Sequence, residues 1–156
     1  MTVAEAAKEF LDQKTLAVAG VSRSGAAVGN GILKKLKDSG YTVYITHPEA
    51  EEIDGEPCYR SVADMPAVPD GMVITTTPEA ARAIVEDCAS AGVARVWMHR
   101  SFGNGSFSDE AAAVGKEKGM TVIEGGCPMM FCEPVDLAHK CIRWIAKVSG
   151  KMPDVG

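Results

Sequence analysis

Aromatic residues make up only 6% of this 156-residue chain, and no apolar run approaches the roughly 20 residues needed to cross a bilayer. Basic residues are in deficit as well: 16 Lys and Arg face 21 Asp and Glu, for a formal net charge of -5. Such a balance lacks the electrostatic footprint of a nucleic-acid binder, so neither nucleic acid nor membrane is expected as a partner. The first residues offer no secretory signal, because Glu5, Lys8, Glu9 and Asp12 interrupt any apolar stretch. Five cysteines, an odd number, sit in a chain without an export signal. Reduced thiols and a cytoplasmic location are the expectation.

What is present points to a folded α/β protein. Hydrophobic residues reach 46%, enough for a core, and the length suits one domain over residues 1–156. Apolar runs at Thr15–Gly20, Tyr41–Thr46, Gly71–Thr75, Arg95–Met98 and Met120–Ile123 read as strands buried on both faces. Helical periodicity alternates with them: an N-terminal helix over about 2–13, one after the Ser22–Gly31 loop that stops at Gly40, then Pro78–Ala91 and Ser108–Lys118. The closing amphipathic helix, about 134–149, has an inner stripe of Leu137, Ala138, Cys141, Ile142, Ile145 and Val148, with Gly150 as its stop. Its basic residues His139, Lys140, Arg143 and Lys147 read as the solvated face. Pro57–Tyr59 reads as a short extra strand. The alternation predicts a Rossmann-like, doubly wound parallel sheet of five or six strands in three α/β/α layers.

Ligands of such a fold sit beyond the carboxyl ends of the strands. The loop after the first strand, Gly20 to Gly31, is rich in glycine and carries Ser22 and Arg23. Glycines admit a close ligand, and amides at the start of the following helix attract anions, so a nucleotide phosphate suits this loop. The spacing is neither G-x-G-x-x-G nor a P-loop. The second strand ends in Thr46, His47 and Pro48, without the acid that holds the ribose of NAD, which disfavours a nicotinamide cofactor. Thr75, Thr76, Thr77 and Pro78 end the third main strand, where capping of the next helix and ligand contact are compatible roles. Cys127 and Cys132 are too far apart for the usual zinc pair, so no metal is expected. No nucleophile elbow, Ser-His-Asp order or carboxylate pair is present, and a non-catalytic role follows as the expectation. Trp144 falls off the inner stripe of the last helix, leaving it available to a second copy in a homodimer.

Taken in order, several short segments resemble a known family. They are Gly20-Val-Ser-Arg23 with Gly29-Asn30, Tyr41-x-Val43 before His47-Pro48, and Ile53-x-Gly55-Glu56 with Tyr59 and Ser61-Val62. Pro69-Asp70, Thr77-Pro78-Glu79, Gly92-Val93 with Val96-Trp97-Met98, and Cys127 with Met130-Phe131 complete the set. Together they resemble the small stand-alone CoA-binding proteins of bacteria and archaea, which are similar to the CoA-binding domain of the succinyl-CoA synthetase α subunit. The resemblance implies coenzyme A or an acyl-CoA as ligand. It makes Gly20, Val21, Ser22 and Arg23 the phosphate loop, with Asn30 at the helix start. It also implies that His47 and Pro48 flank the adenosine, that Thr76, Thr77 and Pro78 line the groove, and that Met98 and Cys127 stand nearer the thiol. Alternatives are an NAD(P)-dependent oxidoreductase, or the CoA-binding half of an acyl-CoA ligase acting with an ATP-using partner subunit. Cys127 forming a mixed disulfide with the CoA thiol is a further one.

One departure stands out. Relatives often carry a base soon after the proline, suited to the 3′-phosphate of CoA, whereas here Glu49, Glu51, Glu52, Asp54 and Glu56 follow. Compensation is expected from Arg23, Lys34 or Lys35, unless the acidic loop points away or the ligand lacks that phosphate.

Overall fold

The computed structural model describes residues 1–100, 105–135, 137–149 and 154–155. Its strands are β1 (Thr15–Ala19), β2 (Thr42–Thr46), β3 (Glu52–Ile53), β4 (Glu56–Tyr59), β5 (Gly71–Ile74), β6 (Arg95–Met98), β7 (Thr121–Glu124) and β8 (Asp154–Val155). The helices are α1 (Val3–Leu11), α2 (Val28–Asp38), α3 (Pro78–Ala91), α4 (Asp109–Glu117) and α5 (Leu137–Val148). All six strands expected from the sequence form, and two-residue β3 and β8 add to them.

The strands make one sheet in the order β3-β4-β2-β1-β5-β6-β7-β8. Only β3 and β8 run antiparallel to their neighbours. The six others therefore end at one common carboxyl edge. The chain leaves β1 toward β2 on one side and returns through β5 on the other, so strand order reverses at β1 and β5. A crevice at that reversal is where a doubly wound sheet accepts a ligand.

Alternating side chains fill two cores, as the period-two geometry of a strand requires. Leu16 and Val18 of β1 and Trp97 of β6 pack with Phe10 of α1 and with Ile32 and Leu36 of α2. Phe10 meets Trp97 edge to face, with ring centroids 5.4 Å apart. Ala17 and Ala19 face the opposite way, joining Met98, Ala81 and Val85 of α3 and Ala111 and Ala112 of α4. Both faces of β1 are thus dry, which explains its unbroken apolar run.

Two expectations are corrected. The loop after β1 is shorter than Ser22–Gly31, because α2 begins at Val28 and takes in Gly29, Asn30 and Gly31. More consequentially, most of the α5 stripe read as its inner face lies outside. Leu137 is 78% exposed, Ile145 53% and Val148 68%, and Ala138 and Cys141 are exposed too; Trp144, read as lying off the stripe, is 66% exposed. Of the expected stripe, Ile142 alone is half-buried and packs against the core, and His139 and Arg143, expected on the solvated face, are half-buried beside it. Arg143 Nη1 donates to the Met130 carbonyl at 3.2 Å, and its guanidinium lies over Phe131, 5.7 Å from the ring centroid. Amphipathic periodicity reveals that a helix has an apolar stripe, not which way the stripe points. Gly150, the expected stop, lies outside the described residues. None of the described helices is long and apolar enough to cross a membrane.

Candidate functional site

Three chain segments converge at the reversal point. Thr75, just past β5, donates its backbone N–H to the Ala19 carbonyl at 2.8 Å and its hydroxyl to the same oxygen at 2.7 Å. Gly20 turns away from β1 with φ +101°, and a Cβ there would stand 2.2 Å from Thr75 Oγ1. Gly29, in the first turn of α2, lies equally close: its Cβ would be 2.6 Å from both the Gly20 carbonyl oxygen and Thr75 Oγ1. Glycine is required at both positions, which draws the start of α2 tightly against the ends of β1 and β5.

Between them the loop is internally braced. Ser22 N–H donates to Asn30 Oδ1 at 2.9 Å, and Asn30 Nδ2 donates to the Ser22 carbonyl at 2.9 Å. Asn30, expected as a contact at the helix start, thus braces the loop with both side-chain polar atoms. Ser22 Oγ and Ser24 Oγ are 3.0 Å apart. The N-cap of α2 is Ala27, whose side chain makes no capping bond. Asn30 N–H donates to the Ala27 carbonyl at 3.0 Å, so of the first amides of the helix those of Val28 and Gly29 are left to an outside acceptor. Val21 is buried, while Arg23 is exposed and its Nη2 lies 3.2 Å from Glu49 Oε2. Both partners of that pair are mostly exposed, so it contributes little and exchanges readily.

His47 follows β2. Its Nδ1 accepts the N–H of Glu49 at 3.0 Å and of Ala50 at 2.8 Å, and its own N–H donates to the Tyr59 carbonyl at 2.9 Å. The ring proton therefore sits on Nε2, the nitrogen left to donate outward. Pro48 is exposed beside it. Thr77 is the N-cap of α3 in an extended conformation, yet its side chain makes no capping bond, contrary to expectation. Thr76 Oγ1 donates to the Thr77 carbonyl at 3.3 Å, and Pro78 opens the helix.

The structure does not bring every expected residue to this edge as an accessible side chain. Met98 is fully buried in the core under α3 and α4, and Cys127 is 2% exposed within the opposite core. As placed, neither side chain presents surface to a ligand. A mixed disulfide at Cys127 would first need that core to open.

His99, one residue past β6, was not singled out by sequence. It is 8% exposed, and burial, with a smaller contribution from His139, lowers its pKa below the ordinary 6.5. Beyond β7, Gly125 and Gly126 have φ +109° and +73°, and the Gly125 carbonyl accepts Trp97 Nε1–H at 2.8 Å. Among the described residues no group of three His, Cys, Asp or Glu is placed to hold a metal.

The acidic segment is distributed, not clustered against the loop. Glu49 pairs with Arg23, while β3 and β4 carry Asp54 and Glu56 toward the amino edge, where Glu56 pairs with Lys37. Lys34 and Lys35, expected as compensating charges, point away from the site: Lys34 bonds Asp38 and Lys35 the Pro134 carbonyl. A base that sequence reasoning passed over, Arg60, stands instead directly after β4.

Known proteins share this architecture. A hypothetical protein of Pyrococcus horikoshii superposes with a TM-score of 0.77 at 28% identity, covering 85% of this chain and 91% of that one. A dinucleotide-forming acetyl-coenzyme A synthetase of Ca. Korarchaeum cryptofilum, solved with phosphate and ADP, superposes with a TM-score of 0.62 at 28% identity, over 72% of this chain and 25% of that one. In sequence, the chain is 39% identical over 75 residues to an ADP-forming acetate–CoA ligase of Archaeoglobus fulgidus, 48% of this chain but 11% of the ligase. A similar ligase of Methanocaldococcus jannaschii is 35% identical over 80 residues, again 11% of its length. The chain spans only a small part of these curated relatives. With residues 14–133 matching the model of the CoA binding domain, the chain belongs to that family.

Proposed function

We propose that the chain binds coenzyme A, free or acylated, in the crevice between the loop after β1 and the loop after β5, and that it catalyses no reaction alone. The observation that carries this reading is the joint close approach of Gly20 and Gly29 to Thr75. That approach places the uncapped start of α2 beside exposed Ser22 Oγ and Arg23, a combination suited to a diphosphate. Binding exchanges the Arg23–Glu49 pair for Arg23 on phosphate. His47 Nε2 and Pro48 flank the adenosine, and Thr76, Thr77 and Pro78 line the other wall. His47 Nδ1 is occupied by two backbone amides, so that nitrogen is no general base in this arrangement. A nicotinamide dinucleotide fits less well, because the residues directly after β2 are His47 and Pro48, with no acid at the strand end to hold its ribose.

Calorimetric titration with CoA, acetyl-CoA, NADH and NADPH tests the reading. Heat with the two CoA species and none with the nicotinamides is expected. Absence of CoA binding, or tighter NADH binding, defeats it.

A second reading is favoured by the exposed stripe of α5. An apolar face formed by Leu137, Trp144, Ile145 and Val148 on a surface helix marks an association surface. In this reading the chain is the CoA-binding half of an acyl-CoA ligase whose ATP-using partner covers α5, and a homodimer through the same face is the competing arrangement. Native mass spectrometry of the purified protein, with and without its co-purifying proteins, separates the two: a doubled mass is the homodimer, a heteromeric mass the ligase.

A further inference from the structure

We infer that Arg60 recognises a second phosphate on the ribose of the bound nucleotide and so selects CoA over its 3′-dephospho form; this rests on the proposed CoA site. Strand β4 runs parallel to β2, with Tyr59 paired to Thr46. The Tyr59 carbonyl accepts the His47 N–H at 2.9 Å. Arg60 therefore leaves the sheet at the carboxyl edge level with His47, on the side away from Arg23. It is exposed and makes no hydrogen bond or ion pair among the described residues.

Other bases near the site are committed elsewhere. Arg23 faces Glu49 and the loop, and Lys34, Lys35 and Lys37 are tied to Asp38, the Pro134 carbonyl and Glu56 along α2. Of the two acids four residues away in sequence, Glu56 pairs with Lys37 and Asp64 accepts the Ser61 hydroxyl at 3.0 Å. Asp87, reaching in from α3, accepts the Val62 N–H at 2.8 Å. Neighbouring strands lie about 4.8 Å apart, so the ends of β1 and β4 are separated by roughly 10 Å across β2. A nucleotide whose diphosphate rests on the start of α2 and whose ribose lies by His47 meets Arg60 only through a group on that ribose. A guanidinium fork with no protein partner is suited to a phosphate there.

Calorimetry of the wild-type protein, Arg60→Gln and Arg60→Lys, each with CoA and 3′-dephospho-CoA, tests this. Wild type is expected to bind CoA about tenfold more tightly than the dephospho form, and Arg60→Gln to lose that preference with its dephospho-CoA affinity unchanged. Arg60→Lys is expected to retain part of it. Thermal midpoints should be unchanged, because Arg60 has no partner to lose. Equal affinity of wild type for both ligands, an Arg60→Gln variant that keeps the preference, or one that weakens both ligands equally overturns the assignment and leaves the CoA site standing. Wild type that binds neither ligand defeats the CoA reading, and the assignment with it.

Discussion

Asn30 and Ser22 hold one another through both polar atoms of the asparagine side chain, one accepting the Ser22 amide and the other donating to its carbonyl. This reciprocal pair ties the loop after β1 to the first turn of α2. It acts on any ligand through the loop's shape. It also consumes the Ser22 amide, leaving the hydroxyl as that residue's outward group.

Asn30→Ala is therefore expected to destabilise the protein by about 1–2 kcal/mol, because the half-buried amide and carbonyl of Ser22 lose their partners. CoA affinity should fall with it as the loop loses its shape. Urea denaturation and calorimetry on the same variant check both. Unchanged stability would show that the pair does not hold the loop.

Glycines two residues apart should respond with opposite signs. Gly29→Ala drives a Cβ against the Gly20 carbonyl and Thr75 Oγ1, and a loss of about 1–3 kcal/mol is expected from overpacking against backbone. Gly31 sits in the same helix with nothing within 4 Å of its Cβ direction. Gly31→Ala should gain about 0.5–1 kcal/mol from helix propensity. Thermal melts of the two single variants decide, and equal responses would contradict the close packing at the crevice.

Acidification should weaken the fold through His99. Burial holds its pKa below the ordinary 6.5, so the unfolded chain takes up the proton first as pH falls. Above 6.5 both states are neutral and the group contributes nothing. Stability is lost as pH falls through 6.5 toward the folded-state value. Denaturation midpoints from pH 8 to pH 5 should fall more steeply for wild type than for His99→Gln; parallel slopes would exclude His99 as the cause.

Thiol reactivity should divide by burial. Cys141 is exposed and should label first at pH 8. Burial, aided by the Asp87 charge, pushes Cys88 up to about 12, so it should react only when the protein unfolds. Mass mapping of a labelling time course checks the order, and early modification of Cys88 would contradict its packing.

Strand and helix placement followed from local burial, since a segment buried on both faces must be apolar throughout. The six longer strands were legible for that reason, and the order of short motifs made the family legible; the glycines of the first loop were legible, but their close approach to Thr75 was not. Asn30 was singled out at the start of the helix but not as a clamp, because its partner, eight residues earlier, is met only once the loop folds back. The last helix shows the same limit: its spacing specified a stripe, of which the body took only Ile142, packing beside it against His139 and Arg143 from the face read as solvated.

Residue order along the chain thus settled which segments are strands and helices, the glycines of the first loop, and the excess of acid over base. It could not say that β4 runs alongside β2, because pairing partners and strand direction are set by contacts between segments distant in the chain. That pairing turns Asp54 and Glu56 toward one end of the sheet and delivers Arg60 to the other. The charge facing the crevice is for this reason a property of the folded edge, not of the stretch that follows His47.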